Sequence, residues 1–113
     1  MGSMRFEIHE VLSGMLATVD KDTFSDDAAG LAKMFEGLSG RFALFAPFQV
    51  GVDPAAVGDA LGKLEQKHCI EHGDGIYTLT PEGRASCVSS KRTLFSQADR
   101  EQLEGAAAEF DTL

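Results

Sequence analysis

The fold of this chain is decided by residues 53–84, which read DPAAVGDALGKLEQKHCIEHGDGIYTLTPEGR. Asp53 followed by Pro54 is a strong helix start. The Asp side chain can accept hydrogen bonds from unpaired backbone N–H groups, and a proline at the first helical position has no N–H to leave unsatisfied. Further along, the pair Asp74-Gly75 lies between two short β-favouring runs and is a hairpin signal. The pattern therefore predicts one helix followed by a two-stranded hairpin.

The same segment resembles the recognition helix and wing of a winged helix-turn-helix domain of the MarR/PadR type. In that family a leucine-rich helix runs into a short Gly-x-Ile strand and a Tyr-x-Leu-Thr-x-x-Gly return strand, which residues 77–83 match here. His68 and Cys69 stand where the family has a glycine at the helix end, and the match covers about 32 of the 113 residues. The resemblance implies an α+β fold, namely a winged helix-turn-helix with additional N- and C-terminal helices and a small antiparallel β-wing. It also implies DNA-binding regulators as relatives, although a fold alone does not fix an activity.

The composition is that of one globular domain. Of the 113 residues, 43% are hydrophobic and 25% are charged, which is enough for a single core without disulfides or metals. Residues 1–3 precede a second methionine, Met4, and resemble a cloning remnant, so we expect the domain to span residues 4–113. No apolar run has membrane-spanning length and no secretory signal is recognisable, so we expect a cytoplasmic protein without membrane contacts.

The net charge argues against phosphate-rich partners. The chain has 18 acidic and 10 basic residues, a formal charge of −8 at pH 7, and such a field repels nucleic-acid backbones. Within residues 53–92 the charges nearly balance, so the surplus acid lies mostly in the flanks. The basic residues of that segment are Lys63, Lys67, Arg84, Lys91 and Arg92.

Apolar residues at helical spacing predict two helices before this segment. The first covers residues 5–19, and the second follows Ser25, which we expect to be its N-cap. Residues 41–52 are rich in phenylalanine, but Pro47 forbids an uninterrupted helix. Either a short helix begins near Pro47, or the first strand and helix of the family are compressed into an irregular apolar loop. The predicted inner faces are Phe6, His9, Leu12, Met15, Leu16 and Val19 in the first helix and Ala28, Leu31, Met34, Phe35 and Leu38 in the second.

Residues 97–111 are predicted to form a C-terminal helix. Ser96 provides its cap, and Leu103, Ala107 and Phe110 share one face. A lone helix of this length is marginal in water unless its apolar face is buried. We expect that face to pair two chains in a homodimer, because helices at both ends give more apolar surface than one small winged core covers. In the alternative, the helix folds back over the first helix of its own chain.

The helix after Asp53 presents a face that reads DNA poorly. Base reading needs long hydrogen-bonding side chains near the N-terminal half, and only Lys63 and Gln66 could contact a nucleic acid usefully. The rest of the face is a stripe of small residues beside one acid. A glycine inside a helix costs roughly 0.5 to 1 kcal/mol against alanine, so two of them require a compensating contact. Either a partner helix docks there, or residues 45–48 of the same chain pack there. The docking residues would be Ala55, Gly58, Asp59 and Gly62.

Residue types that bind zinc are concentrated around the predicted hairpin. They include no C-x-x-C pair, and residues 69 and 72 point to opposite faces of a strand. We therefore interpret the cysteines as core residues rather than as metal ligands or a disulfide, and expect neither metal nor cofactor. No catalytic motif such as a phosphate-binding glycine loop, G-x-S-x-G or H-E-x-x-H is present, so we expect no enzymatic activity. The residues concerned are His68, Cys69, His72 and Cys87.

The sequence thus predicts a non-catalytic interaction or regulatory module that acts by docking on protein. The alternative is a dimeric DNA-binding transcriptional regulator. The family resemblance favours the regulator, whereas the side chains favour protein docking. The nucleic-acid contacts of the alternative would be Lys63, Gln66, Lys67, Arg84, Lys91 and Arg92.

Overall fold

The computed structural model describes residues 6–19 and 21–112. Its fold is α+β, with a three-stranded antiparallel sheet in the order β1-β3-β2. The elements are helix α1 (Ile8–Thr18), strand β1 (Thr23–Ser25), helix α2 (Ala28–Ser39), a 3-10 helix η1 (Ala43–Phe48), helix α3 (Pro54–Gln66), strands β2 (Ile70–Gly73) and β3 (Ile76–Leu79), and helices α4 (Pro81–Leu94), α5 (Gln97–Gly105) and α6 (Ala107–Phe110).

Helix α3 begins and ends as local chemistry dictates. The Asp53 carboxylate accepts from the Ala55 N–H at 2.9 Å, which confirms the predicted cap. At the other end His68 has φ of 60°, and the N–H groups of His68 and Cys69 donate to the carbonyls of Glu65 and Leu64, each at 3.0 Å. This is the Schellman arrangement, in which the left-handed residue is commonly glycine. His68 therefore fills the position at which the resembled family has its glycine. The buried stripe of α3 consists of Val57, Ala60, Leu61 and Leu64.

The hairpin after α3 is confirmed. Asp74 and Gly75 have φ of 56° and 77°, and two successive positive φ values are typical of the type I′ turn that suits the twist of a hairpin. In β3 the side chains of Tyr77 and Leu79 are buried and those of Ile76 and Thr78 are exposed. The hairpin therefore turns one face of β3 to the core and leaves the other in solvent.

Strand β1 is the element that the sequence does not predict. It pairs with β3 in the register Phe24 opposite Tyr77, and their rings stack with centroids 5.4 Å apart. Ser25 lies in this strand, so the prediction that it caps α2 is wrong. Asp27 is the cap instead, since its carboxylate accepts from the Gly30 N–H at 3.0 Å.

Residues 43–48 form the 3-10 helix η1, which begins well before Pro47. Neither alternative for this segment is therefore right. Its Leu44, Phe45 and Phe48 are buried, and the Phe48 ring lies 4.8 Å from that of Phe35 in α2. The segment thus links α2 to α3 and faces inward.

Arg84 ties α4 to the end of α1 and to the turn that follows it. Its guanidinium donates to the Asp22 carboxylate at 2.8 and 3.0 Å, and also to the carbonyls of Lys21 at 2.9 Å and Val19 at 3.3 Å. Because unpaired carbonyls at a helix C-terminus need donors, one side chain satisfies both the end of α1 and the following turn. Arg84 is therefore a structural residue here.

The predicted C-terminal helix is two helices that cover their own domain. The chain bends at Ala106, between α5 and α6. Leu103 and Phe110 are fully buried, and α5 and α6 pack on α1 and η1. Because this stripe is buried within one chain, it does not provide the surface on which a homodimer was expected. Leu113, which would continue the stripe, lies outside the described residues. Among the described residues, no helix is long and apolar enough to cross a membrane.

Candidate functional site

The outer face of α3 is open. Ala55, Gly58 and Asp59 are exposed and Gly62 is half-buried, on the side of the helix opposite its buried stripe. A Cβ added to Gly58 or Gly62 would meet no atom within 4 Å. The interpretation that residues 45–48 pack against these glycines is wrong, because the phenylalanines of η1 lie in the core. Within the described part of the chain, nothing compensates for the two helix glycines.

A cleft of about 220 Å³ adjoins this face, between the start of α1 and α3. Its charged groups include Lys63, whose Nζ lies 4.0 Å from Glu7 Oε1, and His9 Nδ1 lies 3.5 Å from Glu7 Oε2. The Asp59 carboxylate has no ion pair or hydrogen bond to residues 6–19 or 21–112. The cleft is lined by Glu7, Ile8, His9, Ala56, Asp59, Ala60 and Lys63. Sequence reasoning missed it, since only the fold brings α1 next to α3.

Some of the basic residues expected to contact a nucleic acid are already paired within the chain, and others are not paired with any described residue. Arg84 is bound to Asp22 and the backbone, and Lys91 has its side chain only 14% exposed with Nζ 3.5 Å from Glu104. Lys67 and Arg92 are exposed, and their side chains have no ion pair within the described residues. The structure therefore removes two of the cations on which the DNA alternative depends. Lys63 and Gln66 remain exposed on α3.

The β2-β3 hairpin adds carboxylates rather than cations. Glu71 and Asp74 are exposed and unpaired among the described residues. His72 Nε2 lies 2.9 Å from the Asp26 carboxylate, and its ring stacks on Tyr77 with centroids 4.4 Å apart. Burial raises the pKa of Tyr77, and the negative charge of nearby acids raises that pKa further. The hairpin thus presents negative charge beside α3.

The zinc-type residues are not assembled into a site. Cys69 and Cys87 are buried free thiols, whereas His68 and His72 are exposed. Burial raises the pKa of the Cys87 thiol from 9.0 to about 11, against a hydrogen bond with Ser13 that lowers it. These cysteines are core residues, as interpreted from the sequence.

The Cys87 thiol predicts a loss of stability at alkaline pH. Because its pKa is raised on folding, the neutral thiol stabilises the fold fully below pH 9.0, and this contribution is lost as the pH rises towards 11. The difference in unfolding free energy between the native chain and Cys87→Ala should therefore shrink over this interval. Urea denaturation of both proteins at several pH values measures it, and a difference that does not change with pH would contradict the burial of Cys87.

A second group of possible metal ligands lies at the start of α1. The ligand atoms of Glu7, His9 and Glu10 lie within 4.8 Å of one another. Glu10 Oε1 accepts from the Glu7 N–H at 2.8 Å, as in a capping box, and Glu7 contacts His9 and Lys63. The carboxylates thus already serve the helix start, and we assign no metal to them.

Comparison of the chain with known proteins finds no match: no family model, no curated protein and no solved structure is similar to it. The functional conclusion therefore depends on the side chains that α3, the β2-β3 hairpin and the start of α1 present. They combine open glycines, unpaired carboxylates and one adjoining cleft.

Proposed function

We propose that this chain is a non-catalytic, winged-helix interaction module that docks on protein through the outer face of α3. The observation that carries this proposal is the open space around Gly58 and Gly62. Each glycine weakens α3 by roughly 0.5 to 1 kcal/mol relative to alanine, and no contact within residues 6–19 and 21–112 offsets that loss. A partner backbone approaching the stripe of Ala55, Gly58 and Gly62 would offset it.

The order of elements supports the winged-helix part of the proposal. Strand β1 precedes α2 and η1, then α3 is followed by the β2-β3 hairpin, and β1 pairs with β3 to complete one sheet. In a helix-turn-helix reading, α2 is the first helix, η1 occupies the turn and α3 is the recognition helix. The face of α3 that would read bases is then the face that carries the glycines.

Charge supports a protein partner over a nucleic acid. Phosphate binding requires several lysines or arginines that release counterions. On α3, Lys63 contacts Glu7, and Asp59, at the centre of the face, has no ion pair or hydrogen bond to another described residue. The wing contributes Glu71 and Asp74 in place of basic residues. A duplex lying on this surface would meet more unpaired carboxylates than cations.

The DNA-binding regulator is retained as the second candidate because Lys63 and Gln66, in the C-terminal half of α3, and Lys67, directly after it, are all exposed. Arg92 at the end of α4 is exposed as well. A homodimer would double these cations. The regulator would have to work without Arg84 and Lys91, which are held within the chain.

The two candidates are separated by two pairs of substitutions. For protein docking, Gly58→Gln with Gly62→Gln fills the stripe with good helix formers, so we expect an unchanged or slightly higher unfolding free energy and loss of partner capture from an extract of the source cells. Ala98→Gln, at an exposed position of α5, is the matched control and should retain capture.

For DNA, Lys63→Glu with Lys67→Glu should change little, because we expect only weak, sequence-indifferent binding in fluorescence anisotropy at physiological salt. Submicromolar, sequence-selective binding that this pair abolishes would replace docking by the regulator.

A further inference from the structure

We propose that the cleft between the start of α1 and α3 receives an arginine side chain from the helix that docks on α3. This inference deepens the proposed function and rests on it. The cleft has a volume of about 220 Å³. It adjoins the outer face of α3 directly, because Asp59 lies on that face and also lines the cleft. A helix lying against Gly58 and Gly62 would therefore place one of its side chains over the cleft.

The lining of the cleft matches the two parts of an arginine. Its apolar surface comes from Ile8, Ala56 and Ala60, against which the methylene stem of a long basic side chain can pack. The Asp59 carboxylate, which is not paired with any other described residue, offers two oxygens to the guanidinium. The planar arrangement of N–H groups in a guanidinium suits bidentate contact with a carboxylate. An acidic or neutral polar side chain would leave Asp59 without a donor of matching charge.

The charges already present show which sign the cleft selects. Glu7 and Asp59 contribute two carboxylates, against the one ammonium of Lys63. The Lys63 Nζ lies 4.0 Å from Glu7 Oε1, so the cleft already holds a cation supplied by its own chain. An incoming arginine would pair with Asp59 while Lys63 remains with Glu7. Lys63 would then weaken the binding of the arginine by like-charge repulsion, so removal of the Lys63 charge should strengthen that binding.

The test is a titration of the full-length chain, isotopically labelled for NMR, with two helical peptides. One is an alanine- and serine-based peptide with a single central arginine, and the other carries citrulline, the neutral counterpart of arginine, at the same place. We expect the arginine peptide to shift the amide signals of Glu7, Asp59 and Lys63. Citrulline should reduce the affinity about tenfold, which corresponds to one charge-assisted contact.

Three variants locate the effect. Asp59→Asn should reduce the affinity for the arginine peptide about tenfold and remove the preference over citrulline. Asp74→Asn, which removes an equal charge at the tip of the wing and keeps a residue that tolerates positive φ, should leave the affinity within about twofold. Lys63→Met should increase the affinity for the arginine peptide. The DNA-binding alternative gives the opposite sign for Lys63→Met with a DNA probe, so this variant separates the two.

The outcomes distinguish the failure of this inference from the failure of the proposed function. If both peptides shift the α3 signals with equal affinity and Asp59→Asn has no effect, the arginine site is wrong and docking on α3 stands. If Asp74→Asn weakens binding as much as Asp59→Asn, the attraction is diffuse and the arginine site is wrong. If neither peptide affects the α3 amides, both the site and docking on this face are overturned.

Discussion

Replacing Gly83 with alanine should destabilise the protein by about 3 kcal/mol or more, the upper end of the range for overpacking. A Cβ built on Gly83 would lie 1.9 Å from the carbonyl oxygen of Cys69 and 2.6 Å from its carbonyl carbon. These are backbone atoms, and the same oxygen accepts from the Thr80 N–H at 3.0 Å. The carbonyl oxygen and carbon of Cys69 cannot rotate away, so α4 would have to move away from the start of β2. Urea denaturation at neutral pH measures the loss.

Gly58→Ala is the matched control for that substitution. It makes the same chemical change inside a helix, but the new methyl group meets no atom within 4 Å. We expect it to stabilise the protein by roughly 0.5 to 1 kcal/mol through helix propensity alone. A Gly83→Ala variant that loses less than about 1 kcal/mol, or that behaves like Gly58→Ala, would show that α4 does not pack this closely on Cys69.

Gly83 illustrates how far the sequence predicts the fold. The helix caps at Asp53 and Ser96 and the Asp74-Gly75 turn were all predicted, because each depends on hydrogen bonds within a few residues. A glycine in the first turn of α4, by contrast, reads only as a weak helix former. Glycine is required here because of the Cys69 carbonyl, 14 positions earlier in the chain. Local patterns do not contain that contact.

The same limit explains why neither strand β1 nor the internal partners of Arg84 were predicted. β1 has three residues, of which only Phe24 is buried, so its pairing with β3 leaves almost no periodic signal. Arg84 was counted among the nucleic-acid contacts of the alternative as one of the basic residues of this segment. Its partner Asp22 lies 62 positions away, and a sequence reading does not show that a basic side chain is already paired over such a separation.

For the candidate site, helical periodicity predicts which residues share the outer face of α3. It does not predict what lies opposite that face. Spacing alone places Ala55, Gly58 and Gly62 on one side of a helix. Whether η1 or solvent lies opposite depends on where the phenylalanines of η1 pack, and they pack towards Phe35 in α2. The cleft beside Asp59 could have been suspected only from the Glu7-x-x-Glu10 capping box, which marks the start of α1. That motif says nothing about which helix lies next to it.

Phe110→Ala should reduce the unfolding free energy by about 3 to 5 kcal/mol, the usual range for deleting a buried aromatic ring. Phe110 is 0% exposed, and its ring centroid lies 6.4 Å from that of Phe45 in η1. α6 is a single short turn, so no local helix stability can compensate for the lost packing. Val50→Ala is the control, because Val50 is 96% exposed and its truncation should change the stability by less than about 0.5 kcal/mol.

The stability lost in Phe110→Ala, measured at several protein concentrations, tells whether the C-terminal apolar face covers its own chain or pairs two chains. When a ring is buried within one chain, its removal lowers stability equally at every protein concentration. If the ring instead joined two chains, the stability of the native protein would rise with concentration, and the variant would lose that dependence. We expect the same loss at low and high micromolar concentration, with unchanged sedimentation of the folded variant. A concentration-dependent loss together with slower sedimentation would mean that Phe110 lies in a homodimer interface, and that α5 and α6 are not simply a cover on their own domain.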